Sequence, residues 1–408
     1  MNFKQLALTP KVQQAITREG YSQPTPIQAQ AITPQLEGKD VFGIAQTGTG
    51  KTAAFALPLL TKLSKDTTPA SSKHCKSLIL APTRELAAQI AEAIQTYGQF
   101  TDIKVAVIFG GVGQNPQVKA LRGGVDVLVA TPGRLLDLKN QGHVKFSQVQ
   151  TFILDEADRM LDMGFIPDIK KVLASVPKER QTVFFSATNP QSISRFAKQI
   201  LTDPVYIEIE PEQTAAETVE QKLVFVQQNR KNSLLLHLLE KDHLESVLVF
   251  TRTKYKADKV AKVIKKAGIK SVSIHGDKSQ NKRTRALDSF HKGKVRVLVG
   301  TDIAARGIDV DDISHVINYD LPDEAENYVH RIGRTGRAKS SGVAYSFCAS
   351  SEKKKLKAIE RVLGHRLPVV KFDDFDPSDD KHSDPKQKFS KKHRHKKKKN
   401  YRDKRKSR

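Results

Sequence analysis

Short apolar runs rich in β-branched residues recur along the chain and alternate with segments of helical periodicity. Several runs are continuously apolar, as expected of strands buried on both faces of a parallel sheet. They lie at 41–44, 78–80, 105–109, 125–130, 152–154, 183–185, 223–226, 247–250, 272–274, 295–299, 316–318 and 344–347. Helical patterns between them include 53–63, 85–97, 231–240, 256–266 and 279–290. This alternation predicts βαβ units and an α/β fold with parallel sheets.

An acidic segment at 203–221 divides this pattern into two halves of similar rhythm. It contains prolines and small residues, with few large apolar side chains beyond 206–209, so we interpret it as a strand end followed by a linker. We therefore expect two lobes with a preceding N-terminal segment and a following tail. The predicted boundaries are 1–29 for the segment, 30–208 and 219–372 for the lobes, 209–218 for the linker and 373–408 for the tail.

Positive charge is concentrated near the C-terminus. The chain carries a net charge of +25, and residues 377–408 hold 15 Lys or Arg against 4 Asp or Glu, a net +11. Only Phe389 and Tyr401 are aromatic there, so this segment cannot build a core and is predicted to be a disordered basic arm. Such an arm favours a polyanion such as nucleic acid, and a solubilising tail without a specific target stays open as the alternative.

Several protein classes are disfavoured by what the sequence lacks. No apolar run approaches the roughly 18 residues that span a bilayer, and the start MNFKQLALTP does not resemble a secretory signal. The two cysteines, Cys75 and Cys348, give neither a disulfide framework nor a zinc pattern. We expect two inert thiols, no membrane association and a cytoplasmic location.

A glycine-rich segment follows the first apolar run and opens a helical pattern, which is the context of a phosphate-binding loop. Gly48 and Gly50 let backbone N–H groups turn towards phosphates at a helix N-terminus. Lys51 would reach the β- and γ-phosphates, and the Thr52 hydroxyl would bind Mg²⁺. The alternative, a glycine-rich turn with a surface lysine, is disfavoured by this context. The candidate nucleotide-binding residues are Ala45, which replaces the usual Gly, Gln46, Thr47, Gly48, Thr49, Gly50, Lys51 and Thr52.

A pair of carboxylates ends the run 152–154. Asp155 can hold Mg²⁺, often through water, and Glu156 can orient or deprotonate an attacking water. Carboxylates here could also be charges at a helix N-terminus without chemistry. Their combination with the Lys51 loop favours a nucleotide hydrolase.

Residues 330–337 place three arginines beside two glycines. Arginine is the usual source of positive charge on a phosphoryl-transfer transition state. If these arginines reach the phosphates, they come from the second lobe, so that the site is complete only when the lobes close. A loop that binds only RNA is the alternative.

Eleven motifs follow one another in a fixed order. They are GYSQPTPIQ at 20–28 after Phe3, AQTGTGKT at 45–52, PTRELA at 82–87, Gly110-Gly111, TPGR at 131–134, DEAD at 155–158, Ser186-Ala187-Thr188, LVFTRT at 248–253, Gln280 to Arg283, GTDIAARGID at 300–309, and HRIGRTGR at 330–337. In this order they resemble the DEAD-box RNA helicases over nearly all of residues 1–372. Within that family the sequence is most similar to the bacterial RhlE-like group.

The resemblance implies two tandem RecA-like domains and an RNA-stimulated ATPase with ATP and Mg²⁺ as cofactors. Lys51, Asp155 and Glu156 would serve hydrolysis, with Arg334 and Arg337 as arginine fingers. Phe3 and Gln28 would bind adenine, and Asp309 the ribose. Asp158, Ser186, Thr188 and His330 would couple hydrolysis to lobe geometry. The implied RNA contacts are Thr83, Arg84, Gly111, Thr131, Gly133, Arg134, Gly276, Arg283 and Thr301. These groups suit phosphates and 2′-hydroxyls and do not read bases.

Three functions remain possible from the sequence. The first is a helicase that opens RNA duplexes locally and without processivity. The second is an ATP-gated RNA clamp, and the third is a DNA translocase, which Gln28 with Phe3 and the DEAD and SAT motifs disfavour. Ribosomal precursors or RNA-decay complexes are the expected partners, and a monomeric core is expected.

Overall fold

The computed structural model describes residues 2–46, 48–66, 68–210, 219–240, 244–302, 313–336, 342–372 and 375. Of the predicted site residues, Thr47, Asp309 and Arg337 lie outside this part of the chain, as do most of the linker and of the basic tail.

The first lobe is a parallel sheet of seven strands within the described residues, in the order β3-β4-β2-β5-β6-β1-β7. The strands are β1 Val41–Ile44, β2 Cys75–Leu80, β3 Val105–Ile108, β4 Val125–Ala130, β5 Thr151–Leu154, β6 Gln181–Ser186 and β7 Val205–Glu208. The helices are α1 Pro10–Arg18, α2 Pro26–Leu36, α3 Lys51–Lys65, α4 Arg84–Tyr97, α5 Gln114–Leu121, α6 Pro132–Asn140, α7 Ala157–Asp162, α8 Ile166–Leu173 and α9 Gln191–Ile200.

The second lobe has a six-stranded parallel sheet in its described part, in the order β10-β11-β9-β12-β13-β8. Its strands are β8 Val219–Phe225, β9 Val247–Phe250, β10 Ser271–Ile274, β11 Val297–Gly300, β12 His315–Asn318 and β13 Gly342–Cys348. Its described helices are α10 Lys231–Leu239, α11 Lys254–Lys266, α12 Gln280–His291, α13 Glu326–Ile332 and α14 Lys353–Leu363.

Successive strand side chains point to opposite faces of a sheet, and helices cover both faces here. In β2, Ile79 belongs to the cluster under α3 and α4, whereas Leu78 and Leu80 belong to the cluster under α6 to α9. All three side chains are fully buried. Continuous apolar runs therefore form central strands here, and the predicted α/β class with two parallel sheets is confirmed.

Several strand boundaries differ from the sequence prediction by two to four residues, and the difference is clearest at β7 and β8. Strand β7 is a complete edge strand paired with β1, although the sequence indicated only a strand end there. Its outer residues are exposed, so its apolar pattern is weak. Strand β8 begins at Val219, four residues before the predicted run, because it pairs along the whole of β13.

Parallel pairing brings the carboxyl ends of the strands to one edge of each sheet. The phosphate loop follows β1, the carboxylate pair follows β5, and the segment 186–188 closes β6. Open α/β sheets bind their ligands at this edge. None of the helices in the described residues is long and apolar enough to cross a membrane.

Candidate nucleotide and RNA site

The loop between β1 and α3 is curled by two glycines with positive φ, Gly48 at 84° and Gly50 at 90°. A side chain is strained in this region of φ and ψ, so glycine is the suitable residue at both positions. Lys51 is 6% exposed, and its Nζ donates to the carbonyl oxygen of Ala45 over 2.6 Å. The ammonium group therefore spans the loop, at the N-terminus of a 15-residue helix. Thr52 follows in the first turn and is half-buried.

Gln28 supports this loop from α2. Its Nε2 donates to the carbonyl of Gly50 over 3.1 Å, and its Oε1 accepts from the backbone N–H of Thr25 over 3.0 Å. A Cβ on Gly50 would lie 2.3 Å from that Nε2. The sequence predicts that this amide pairs with adenine. In the structure, one amide N–H and one oxygen lone pair already bind the loop and the start of α2. One N–H and one lone pair of the amide stay available by chemistry.

The resemblance implies that Phe3 stacks on adenine, and in this structure Phe3 is 3% exposed. Its ring stacks on Tyr21, with centroids 6.4 Å apart. Phe3 therefore anchors the N-terminal segment to the core beside the loop.

The two carboxylates after β5 have opposite electrostatics. Burial raises the pKa of Asp155 to about 7, and the neighbouring Lys51 offsets only part of that effect. Burial would also raise the pKa of Glu156, but the charges of Arg159, Lys51 and Arg334 outweigh it and hold that pKa below its usual value. Glu156 is thus an ionised acceptor, and Asp155 is a buried carboxylate short of positive charge.

Glu156 is fixed by its backbone as well as by its partner. Its φ of 52° lies in the left-handed region, where a residue other than glycine is uncommon. Its Oε2 accepts from Arg159 Nη1 over 2.8 Å. Strained conformations of this kind concentrate at functional sites.

Asp158 connects the carboxylate motif to the end of β6. Its Oδ2 accepts from the backbone N–H groups of Ala187 and Thr188 and from the Thr188 hydroxyl, over 2.9 to 3.2 Å. The Ser186 hydroxyl in turn donates to the carbonyl of Thr188 over 2.7 Å. Three of the residues predicted to couple hydrolysis to lobe geometry are therefore one hydrogen-bonded unit.

The arginine-rich segment of the second lobe faces this site. Arg334 is 8% exposed, and its charge contributes to the lowered pKa of Glu156 in the first lobe. His330 lies exposed in the last turn of α13. Arg331, which sequence reasoning did not assign, binds both carboxylate oxygens of Asp302 over 2.5 and 2.8 Å and lies over the ring of Phe250. Arg331 therefore fixes the segment that carries Arg334.

Three arginines, two from the first lobe and one from the second, lie close enough to repel one another. Burial and the charges of Arg283 and Arg134 lower the pKa of Arg84, and Glu85 offsets only part of this. Gly111 has a φ of 76°, and a Cβ there would lie 1.8 Å from Arg84 Nη1. The guanidinium thus occupies the space that a side chain on Gly111 would need. This surplus of positive charge is suited to a polyanion.

Arg283, for which the resemblance implies an RNA contact, lies in a contact between the two lobes in this structure. It is 8% exposed, and its Nη2 lies 3.0 Å from Oε2 of Glu85 in the other lobe. Gln280 Nε2 donates to Oε1 of the same carboxylate over 2.9 Å. Arg283 is therefore part of a buried contact between the lobes.

The remaining predicted RNA-contact residues lie at helix starts or in open loops. Thr83 caps α4 by accepting from the N–H of Leu86, and Thr131 is the residue before α6. Arg134 donates to the carbonyl of Val112. A Cβ on Gly133 or Gly276 would meet nothing within 4 Å, so both approaches are open. Thr301 is half-buried directly after β11.

Sequence reasoning missed Glu85 and Arg331, and the signal for both was partly present. Glu85 stands inside the quoted PTRELA motif and Arg331 inside HRIGRTGR. Their neighbours were assigned, but their partners lie far along the chain, 195 residues in the case of Glu85 and Gln280. Glu85 is identified by its partners in the other lobe, and Arg331 by its pairing with Asp302 within the second lobe.

Comparisons with known proteins agree with this geometry. Residues 25–196 match the family model for DEAD/DEAH box helicases, and residues 230–339 match the model for the helicase conserved C-terminal domain. The DEAD-box ATP-dependent RNA helicase CshA of Bacillus subtilis is 42% identical over 371 residues, covering 91% of this chain and 74% of that protein. CshA of Geobacillus kaustophilus is 41% identical, covering 90% of this chain and 78% of that protein.

Solved structures match both lobes together. S. cerevisiae Dbp5 bound to RNA and ADP BeF3 has a TM-score of 0.80 at 32% identity, covering 90% of this chain and 95% of that one. A DEAD box protein from Methanococcus jannaschii has a TM-score of 0.52 at 40% identity, covering 91% and 99%. A score of 0.80 over both lobes requires a similar mutual placement of the lobes. The expected pair of RecA-like domains is confirmed.

Proposed function

Because this chain belongs to the DEAD-box family of ATP-dependent RNA helicases, we propose that it closes its two lobes on RNA and thereby opens short duplexes locally. The observation that carries this proposal is that Arg84 and Arg134 of the first lobe lie close to Arg283 of the second lobe, which pairs with the Glu85 carboxylate. Closure concentrates positive charge there, and RNA is the ligand that relieves it.

We assign the phosphate end of ATP to Lys51 and the curled loop that it spans. Mg²⁺ fits beside it, because Asp155 is a buried carboxylate whose raised pKa a divalent cation would bring down. The described residues contain no group of three His, Cys, Asp or Glu side chains suited to a metal. We assign Mg²⁺ to Asp155 and the Thr52 hydroxyl, with water and phosphate oxygens completing its shell.

Bound ATP supplies a transferable γ-phosphoryl group. Glu156, kept ionised by the surrounding cations, orients the attacking water by accepting its hydrogen bond. Arg334 brings positive charge from the second lobe to the same place. Asp158, Ser186 and Thr188 transmit the state of this site to the end of β6, and we include His330 in that coupling.

RNA is held through its backbone in this proposal. Threonine hydroxyls at helix starts and open glycine approaches suit phosphates and 2′-hydroxyls, and they carry no base-reading groups. Binding with little sequence preference follows. Opening is local, because the bound strand is bent within one closed site and released after hydrolysis.

Steady-state ATPase activity with saturating unstructured RNA, matched DNA or neither tests this function. We expect strong stimulation by RNA alone, and a Glu156→Gln variant provides the blank. Stimulation by DNA ten-fold above that by RNA would support a DNA translocase instead. Equal rates in all three conditions would contradict the RNA-dependent ATPase.

Strand displacement separates a helicase from a clamp on the same motifs. We expect a short RNA duplex to be opened in the presence of ATP. ATP-dependent retention of RNA without displacement would favour the clamp.

Ribosome assembly or RNA turnover is our proposed setting, in the cytoplasm. The RhlE-like grouping stays a prediction, since the relatives reported above carry the name CshA.

A further inference from the structure

A groove of about 440 Å³ runs along one edge of the second sheet. Its floor is β10, the outermost strand on that side. One wall is formed by positions 258, 261, 262 and 265 of α11, and the other by positions 282, 285, 286 and 289 of α12. Spacings of three and four place each set on a single helical face. We call this feature the edge groove.

The edge groove carries a surplus of positive charge. Its carboxylate, Asp258, is paired with Lys278 over 2.7 Å and accepts from the Ser273 hydroxyl over 2.5 Å. The other cations of the groove are exposed, and the described residues offer them no ion-pair partner: Lys262, Lys265, Lys282 and Arg285. Four positive charges therefore line one concave surface, together with serine hydroxyls on its floor.

The edge groove starts at the cleft between the lobes and extends away from it. Helix α12 starts at Gln280, which contacts Glu85 of the first lobe, and it then runs away from the cleft. Lys282 lies in its first turn, and Arg285 lies about one turn further on. The loop with Gly276 opens beside the same end. The edge groove thus continues outward from the face that we assign to RNA.

An exposed aromatic ring stands at the cleft end of the groove. Tyr255 is 77% exposed and lies on α11 one turn before Asp258. An exposed ring beside a basic track suits a nucleic acid, whose bases stack on such rings while its phosphates meet the cations. An acidic peptide would use the cations but not the ring or the continuity with the cleft.

We propose that the edge groove binds the sugar-phosphate backbone of an RNA segment that extends beyond the cleft. This inference rests on the proposed RNA-binding function and adds a second site to it. Lysine, arginine and serine are the side chains that contact phosphate and sugar without reading sequence. The site would anchor RNA while the cleft opens and closes.

The test compares two triple variants of the full chain. Lys262→Gln with Lys282→Gln and Arg285→Gln removes three charges from the edge groove. Lys353→Gln with Lys354→Gln and Lys357→Gln removes three charges from the exposed face of α14, outside the groove. Both variants keep the basic tail, so its contribution cancels. Thermal unfolding checks that each variant is folded.

Two RNAs separate the groove from the cleft: an oligonucleotide of about 10 nucleotides, and the same oligonucleotide extended by about 12 nucleotides on either end. We expect the groove variant to bind the extended RNA about 10- to 50-fold more weakly at physiological salt, with a salt dependence lower by about two in the log–log slope. Its kcat and its affinity for the short RNA stay unchanged, as do all values of the α14 variant.

Three outcomes would overturn the proposal. No loss with extended RNA means that the groove holds something else, such as an acidic segment. Equal loss in both variants means that only bulk charge matters, and equal loss with both RNAs means that the substitutions act on the cleft. Fluorescence anisotropy measures RNA binding without ATPase activity, so failure of RNA stimulation in the parent protein would be recognised separately.

Discussion

Within the described residues, two first-lobe carboxylates, Glu85 and Glu156, interact with second-lobe side chains, and they do so differently. On the RNA side, both oxygens of Glu85 are held by side chains of the other lobe, Gln280 and Arg283. On the ATP side, Glu156 is held at 2.8 Å by Arg159 of its own lobe, and Arg334 of the other lobe acts through its charge. The first is a contact between lobes, and the second is a preformed site that the other lobe completes electrostatically.

This difference separates two tasks. Direct contacts that exist only when the lobes are together contribute their free energy to closure. A carboxylate oriented within one lobe keeps its geometry whether or not the lobes are closed. Disruption of the Glu85 contact should therefore raise the half-saturating RNA concentration. Disruption of the Glu156 site should instead lower kcat for ATP hydrolysis.

The largest expected effect comes from Arg334→Ala. Positive charge supplied by arginine to a phosphoryl-transfer transition state is worth about 10³- to 10⁵-fold in kcat. We expect a loss in this range with little change in half-saturating RNA concentration, measured by steady-state ATPase. Arg361→Ala, on the exposed face of α14, is the matched control. Loss of RNA affinity with retained kcat would reverse the assignment of the two sides.

Glu85→Gln should act on closure. Truncating one partner of a buried charge pair costs about 2 to 5 kcal/mol, so the half-saturating RNA concentration should rise about 30-fold or more. The rate at saturating RNA should be largely retained. The control is Glu92→Gln, an exposed position of the same helix.

A double-mutant cycle of Glu85→Gln with Arg283→Gln sharpens this prediction. If the two side chains interact when RNA is bound, the double variant should lose less than the sum of the single losses. Strict additivity would mean that the contact is broken in the RNA-bound state. Arg283 would then be free to contact RNA, as the family resemblance implies.

Gly111→Ala should have a smaller effect on the RNA side alone. The new Cβ would displace the Arg84 guanidinium. The positive φ of residue 111 adds strain of about 1 to 2 kcal/mol for a residue with a side chain. We expect the half-saturating RNA concentration to rise about 10-fold, with the KM for ATP without RNA unchanged. Gly123→Ala, where a Cβ meets nothing within 4 Å, is the control. An unchanged RNA requirement would exclude Arg84 from RNA binding.

The smallest effect is expected at the cysteines, one in each lobe. Burial raises the pKa of Cys75 to about 12 and that of Cys348 to about 11. At pH 8 only about one Cys75 in 10⁴ is a thiolate, so alkylation should be negligible in the folded protein. Mass spectrometry after iodoacetamide treatment measures this. Fast labelling in the Glu85 or Arg334 variants would show that they unfold a lobe rather than alter closure.

Local patterns in the sequence predicted the two-lobed α/β fold and the position of the first-lobe site residues at the strand ends. Lys51, Gly50 and the Asp155–Glu156 pair lie directly after apolar runs, and parallel pairing brings strand ends together whatever the details of packing. For Arg283 and Phe3 the sequence indicated a possible ligand but not the protein contacts that the structure shows. Each has polar or apolar neighbours that are distant in the chain, and a motif does not say which neighbour a side chain will reach.

The sequence alone determined the two α/β lobes, the phosphate loop and the DEAD-box motifs in their order, because strand burial and glycine-rich turns are decided within a few residues. Tertiary structure decided that Gln28 holds Gly50, that Arg283 pairs with Glu85 and that Arg331 fixes the arginine segment. Buried polar groups take the partners that folding brings within about 3 Å, and those partners come from elements far apart in the chain.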